Sequence, residues 1–183
     1  MPVENRIRRS PEMQGLFGAD FFLFEEDFVE ANVRCIPMIV RFKLDAVGIK
    51  LPLELWCKFS FEERKTLAVQ HCKTRVERSG YYHYLNGLVN IYTGADAKEL
   101  IIDPNPLWAN LQKVPEGLQQ KAAEFNWFIS VEKWSSLSDL QRFALLKLFS
   151  PGHENKNFPK AMKEFGLAVD TTDLESRNDK YIQ

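Results

Sequence analysis

The chain has 183 residues, 45% of them apolar and 13% aromatic, enough to bury a core and to exclude global disorder. Its 24 lysines and arginines nearly balance 25 aspartates and glutamates, for a formal net charge of −1. That balance argues against nucleic acid as the main partner, because such binders set a basic face against many phosphates.

Residues 1–20 carry proline, glycine and the cluster Arg6-Arg8-Arg9 without periodicity, and read as a mobile N-terminal arm. Phe21-Phe22-Leu23-Phe24 followed by Glu25-Glu26-Asp27 reads as core aromatics with an acidic turn beyond them. In the run from Arg34 to Asp45, Val40, Phe42, Leu44 and Ala46 alternate at strand period. The set Ile36, Ile39, Val40, Leu44 and Val47 fits a helical face equally well. Boundary chemistry decides for a helix, since Pro37 suits its start and Gly48 the residue past its end. Such a helix is apolar on most of its circumference and is placed centrally, with Arg41 and Asp45 as i,i+4 neighbours.

Pro52 opens a short turn through Leu53, Leu55 and Trp56. Ser60-Phe61-Glu62-Glu63 is a capping box that predicts a helix over about 61–72. Tyr81, Tyr84, Leu85, Leu88, Val89 and Tyr92 recur at helical spacing, with Gly94 as a stop. Residues 95–114, with Pro104, Asn105 and Pro106, read as an irregular crossing in which Ile101-Ile102 is a strand fragment without an evident partner. Pro115 begins a helix with Leu118, Ala122, Phe125 and Ile129 on one face. Ser138 caps a largely apolar helix over Asp139 to Phe149, ended by Ser150-Pro151-Gly152. Phe158-Pro159 starts a last helix, with Ala161, Met162 and Phe165 inward and Gly166 as its stop. The expected fold is all-α: one helical domain over 21–169, a compact bundle of about six to eight helices with irregular loops, and a polar tail at 170–183.

A weak echo runs through this plan. Trp56-x-x-x-Ser60-x-x-x-Arg64-x-x-Leu67 reappears as Trp134-x-x-x-Ser138-x-x-x-Arg142-x-x-Leu145, and Ile36-Pro37 with Gly48-Ile49 is loosely mirrored by Phe158-Pro159 with Gly166-Leu167. Shared helix-start chemistry accounts for the first of these as well as a repeat does.

No apolar run approaches the roughly 18 residues of a membrane span, and MPVENRIRRSPEMQG lacks the apolar core of a secretory signal. Cys35, Cys57 and Cys72 are an odd count without C-x-x-C spacing, so neither a disulfide framework nor a zinc site is indicated. Together these features predict a soluble, cytoplasmic protein with no membrane partner. Cys57, His71, Cys72 and His83 match no metal-ligand spacing, and the cysteines read as small hydrophobes. Arg34 beside Cys35 would favour its thiolate, but no histidine base is near in sequence. No glycine-rich phosphate loop follows a strand. No cofactor and no catalytic residue is therefore assigned.

The informative polar residues are the charges set among apolar neighbours: Arg34, Arg41, Lys43, Asp45 and Arg142. They are either internal salt bridges, Arg41–Asp45 first among them, or a partner-facing or anion-facing patch. His153, Glu154, Asn155 and Asn157 form a polar loop that is a plain surface turn or a recognition loop. One residue of the tyrosine helix, turned outward, would make an interface anchor.

Several segments resemble one family: Phe24-Glu25-x-Asp27-Phe28-Val29, the run Arg34-Cys35-Ile36-Pro37-Met38-x-Val40-Arg41-Phe42-Lys43-Leu44-Asp45, and Gly48-Ile49-Lys50-Leu51 in the first half, then Gln141-Arg142-Phe143-Ala144-Leu145-x-Lys147-Leu148, Pro151-Gly152-His153-Glu154-Asn155, Asn157-Phe158 and Glu164-Phe165. They are similar to the nitrate reductase-associated protein family, over roughly residues 21–167. The resemblance implies a non-enzymatic accessory protein of cyanobacterial-type nitrate assimilation. Such a protein would support a molybdenum-containing nitrate reductase by protein contact, without transferable catalytic roles. The alternative is a helical domain that handles a small molecule, for instance delivering molybdenum cofactor to the apo-enzyme.

Overall fold

A buried helix running from Met38 to Val47, α1, anchors the first half of the chain. Its N-cap is Pro37, in extended conformation, and its end is Gly48 at φ 66°. Glycine is required there twice over. The left-handed conformation disfavours a Cβ, and a Cβ built at this position would sit 2.6 Å from the Leu100 carbonyl oxygen. The computed structural model describes residues 21–25, 35–150 and 156–168. These are mostly helical and group into two units, one ending at Ile102 and the other beginning at Asp103.

In the first unit a 3₁₀ turn at Leu23–Glu25 precedes α1, and after it come β1 (Ile49–Lys50), α2 (Leu53–Trp56), α3 (Phe61–Val69), α4 (Arg75–Thr93) and β2 (Lys98–Glu99). Helix α1 packs on α4 and α3, burying Met38, Ile39, Val40, Leu44 and Val47 on its own side and Tyr81, Leu85, Leu88 and Val89 on α4. β1 and β2 form a two-residue antiparallel ladder, Ile49 opposite Glu99 and Lys50 opposite Lys98. The expected strand fragment at 101–102 thus lies three residues earlier and finds its partner just past Gly48. Period-2 patterning cannot register so short a ladder.

In the second unit a 3₁₀ turn at Leu107–Ala109 leads to α5 (Glu116–Ala123), α6 (Val131–Ser136), α7 (Asp139–Phe149) and α8 (Phe158–Glu164). Helix α7 is central, packing against α5, α8 and the 3₁₀ turn and burying Phe143, Ala144, Leu145 and Leu148.

Among the described residues three helices start with a complete capping box: Ser60 with Glu63, Thr74 with Glu77, and Ser138 with Gln141. In each, the side-chain oxygen of the N-cap accepts an amide, and the third residue's side chain accepts the N-cap's own amide. Bonds from the Thr74 and Lys73 amides hold the Glu77 carboxyl below its ordinary value. At Glu63 desolvation works upward, but bonds from the Ser60 amide, the Tyr92 hydroxyl and the Ser60 hydroxyl outweigh it, and this carboxyl too lies low. A lowered folded-state value means that these caps contribute fully above the unfolded carboxyl value of about 4.3 and lose strength as pH falls through the lower folded value. Gln141 does not titrate. In an acid titration followed by amide NMR, the Ser60 and Thr74 resonances are therefore expected to move with carboxyl protonation, and Ser138 much less.

The echo is structural at its helix starts. Trp56 and Trp134, and Leu67 and Leu145, are fully buried, and both serines cap. It diverges at the arginines, with Arg64 half-buried and Arg142 buried. Gly48 and Gly166 share a left-handed conformation, φ 66° and 68°, and each is followed by a buried aliphatic residue, Ile49 or Leu167.

Candidate functional site

The charges singled out in the sequence are the natural place to look for a site. Three of them, Arg41, Lys43 and Arg142, donate to backbone carbonyls. Arg34, His153, Glu154 and Asn155 lie outside the described residues.

Lys43 projects from α1 and is buried. Its ammonium donates to the carbonyls of Ala68, at 2.5 Å, and Leu67, at 3.4 Å, the last carbonyls of α3. A cation there satisfies orphan acceptors and opposes the negative end of the helix dipole. This is also where α3 stops, at Val69 rather than at 72, with Gln70 turning out at ψ 133°. The same ammonium stands 5.8 Å from the ring centroid of Tyr81. Burial pushes the Tyr81 hydroxyl well above its usual value, and among the described residues that hydroxyl has no hydrogen-bond partner. Burial likewise raises the neighbouring Cys72 thiol, against the pull of the Lys43 charge, which keeps it a thiol. Tyr81→Phe is expected to leave stability unchanged or raise it by up to about 1 kcal/mol, because it removes an uncompensated buried polar atom and keeps the ring. Thermal unfolding checks this.

Arg41 is half-buried and donates through Nε to the Ile36 carbonyl at 2.9 Å. Asp45 is exposed. Arg142, on α7, is 4% exposed. Its Nε donates to the Trp108 carbonyl at 2.7 Å, and its two terminal nitrogens to the Leu137 carbonyl and the Asp139 carboxylate. The guanidinium lies 5.9 Å from the Trp134 ring centroid, and the Trp134 indole donates to the Asn110 carbonyl. Arginine's planar fork suits a role that needs three acceptors at once. It ties the 3₁₀ turn at 107–109 to the start of α7. Lys43 and Arg142 therefore lie in different units, and each organises backbone in its own. Asn157 is half-buried and precedes α8 without a side-chain cap bond.

Sequence reasoning passed over Glu25. It is completely buried, and its carboxylate accepts the amides of Met38, at 2.7 Å, and Phe22, at 3.2 Å. Pro37 has no side-chain acceptor to offer α1, so a carboxylate 13 residues upstream caps it instead. A proline N-cap without a following Ser, Thr, Asp or Asn was the available signal.

Two aromatic features face outward. On α4, Tyr82 donates to Glu99 at 2.5 Å, while His83 is exposed. In the second unit, α5 ends at Ala123, short of the expected face through Phe125 and Ile129. Asn126 takes the left-handed conformation, φ 59°, which asparagine tolerates better than most residues. The turn stacks Phe125 on Trp127, centroids 5.0 Å apart, and leaves Phe128 47% exposed beside exposed Val131. It is held by the Trp127 amide on the Ala122 carbonyl and the Ile129 amide on the Gln119 side chain. A rigid aromatic ridge of this kind is suited to anchoring a protein contact. An asparagine among four aromatics and aliphatics just past a helix end was its signal in the sequence.

Among the described residues no group of three or more His, Cys, Asp or Glu is placed to hold a metal ion, and no helix is long and apolar enough to cross a membrane. No curated protein and no solved structure matches the chain. Residues 21–165, well over half of it, match the family described as conserved nitrate reductase-associated protein, the span that holds Glu25, Lys43, Arg142 and the aromatic turn. The chain belongs to that family.

Proposed function

We propose that the protein is a non-catalytic accessory of nitrate reductase, supporting the enzyme's assembly or activity through direct protein contact. The family match over residues 21–165 carries this reading. The site chemistry is in keeping with it. Among the described residues Lys43, Arg142 and Glu25 are the buried charged ones, and each bonds backbone groups at helix or turn ends. The Trp127–Phe128–Val131 ridge offers a preorganised anchor for a partner.

Co-purification with the reductase tests the reading. Wild type is expected to capture the enzyme, and Phe128→Ser to weaken capture at least tenfold while keeping the fold. Capture that survives Phe128→Ser and Trp127→Ala moves the contact away from the ridge. Absence of capture from both apo- and holo-enzyme overturns the accessory reading. Pterin released on denaturing the purified protein would favour delivery of molybdenum cofactor instead.

A further inference from the structure

The solvent face of α4 has a composition unlike that of an ordinary exposed helix. Val76, Gly80, His83, Gly87, Asn90 and Ile91 are exposed along its centre, and none is Asp, Glu, Lys or Arg, the residues that usually fill such a face. Val76 and Ile91 are 81% and 76% exposed. We infer that this face pairs antiparallel with the same face of a second copy of the chain, about a two-fold axis beside His83 and Tyr84.

The pattern is self-complementary under that operation, as an isologous interface requires. With the axis between positions 83 and 84, Val76 of one copy comes opposite Ile91 of the other, and Gly80 opposite Gly87. The two exposed aliphatics, at the two ends of the face, thus cover each other. Gly80 and Gly87, on either side of His83 and Tyr84 at the axis, carry no bulk, and a Cβ on Gly87 would meet nothing within 4 Å in its own chain. Charge supports the antiparallel sense. Around the start of α4 the exposed Lys73, Arg75 and Arg78 outnumber Glu77, and beyond its end the exposed Asp96 and Glu99 outnumber Lys98. Asp96 is held beside the helix by Asn86 and Asn90, and Glu99 by Tyr82. Antiparallel pairing sets the basic end of each copy beside the acidic end of the other, whereas parallel pairing sets like ends together. A 19-residue helix is about 28 Å long, so one helix pair covers less than the roughly 800 Å² per partner of a standard interface. The dimer is therefore a reversible one.

This inference goes beyond the accessory reading and does not depend on it. Sedimentation equilibrium of the full chain, from about 1 to 200 µM and at low and high salt, tests it. The weight-average mass of the wild type is expected to rise towards twice the monomer with concentration, and less at high salt. Ile91→Glu and Gly87→Lys are expected to stay monomeric throughout. Gly87→Lys should at the same time raise the melting temperature of the monomer, because it replaces a mid-helix glycine in open space. Loss of dimer by unfolding is thereby separated from loss of the interface. A wild type that remains monomeric at 200 µM overturns the inference, and so does a dimer that both variants leave intact.

Discussion

Replacing Arg142 with alanine is expected to destabilise the protein by about 3 to 5 kcal/mol, measured by urea unfolding with tryptophan fluorescence. The magnitude follows from what is left behind. The Trp108 and Leu137 carbonyls lose a charged donor, and bonds from a charged group to such acceptors contribute about 1.5 to 3 kcal/mol each. The Asp139 arm adds little, because that carboxylate is 62% exposed and rehydrates. Arg142→Lys should recover less than half of the loss. A single ammonium nitrogen cannot reach acceptors spread around the edge of a guanidinium, which Arg142 addresses from three separate nitrogens. A loss below about 1 kcal/mol for Arg142→Ala would mean that water reaches those carbonyls and that the cluster is not the tie described above.

The second large effect belongs to Glu25. Glu25→Ala strips the cap from α1 and orphans the Met38 and Phe22 amides in a buried place. A lost cap costs about 1 kcal/mol, and each buried donor without a partner adds about 1 to 3 kcal/mol. The expected loss is about 3 kcal/mol in the same assay. Glu25→Gln, which keeps one oxygen acceptor and gives up the charge at the positive end of the helix, should lie between wild type and alanine. If the glutamine and alanine variants are equally unstable, the charge matters more than the hydrogen bonds. If neither loses stability, α1 has another cap.

What the residues disclosed and what they concealed divide along physical lines. Helices closed by local chemistry were legible: Ser138 to Phe149 to the residue, the Ser60 box, and Gly48, Gly94 and Gly166 as stops, all left-handed in the structure. Local rules could not reveal ends set by distant groups. Helix α3 stops where Lys43, 24 residues away, takes the Leu67 carbonyl, and α1 starts under a carboxylate that its own neighbourhood does not supply. The ladder of β1 and β2 escaped detection because two residues per strand carry no period. Among the candidate site residues, the residue types were informative, since charges among apolar neighbours do mark special positions. Their roles depended on which carbonyls the fold brought near, and a one-dimensional pattern does not contain that information. The ridge at Trp127 and Phe128 was obscured because Phe125 and Ile129 continue the helical spacing that Asn126 breaks.

The capping of α1 by Glu25 also bears on the order of folding. The Glu25–Met38 contact spans 13 residues and the Lys43–Ala68 contact 25, whereas the bond between the Leu100 amide and the Gly48 carbonyl spans about twice the longer of these. Closure entropy grows with the logarithm of span, and short-range contacts form early. On sequence separation alone, α1 is expected to be clipped at its start first and tied to α3 next. The β1–β2 ladder is expected last of the three, because all of α4 lies between its strands. A fragment beginning at residue 35 would retain every residue of α1 and still lack the group that starts it.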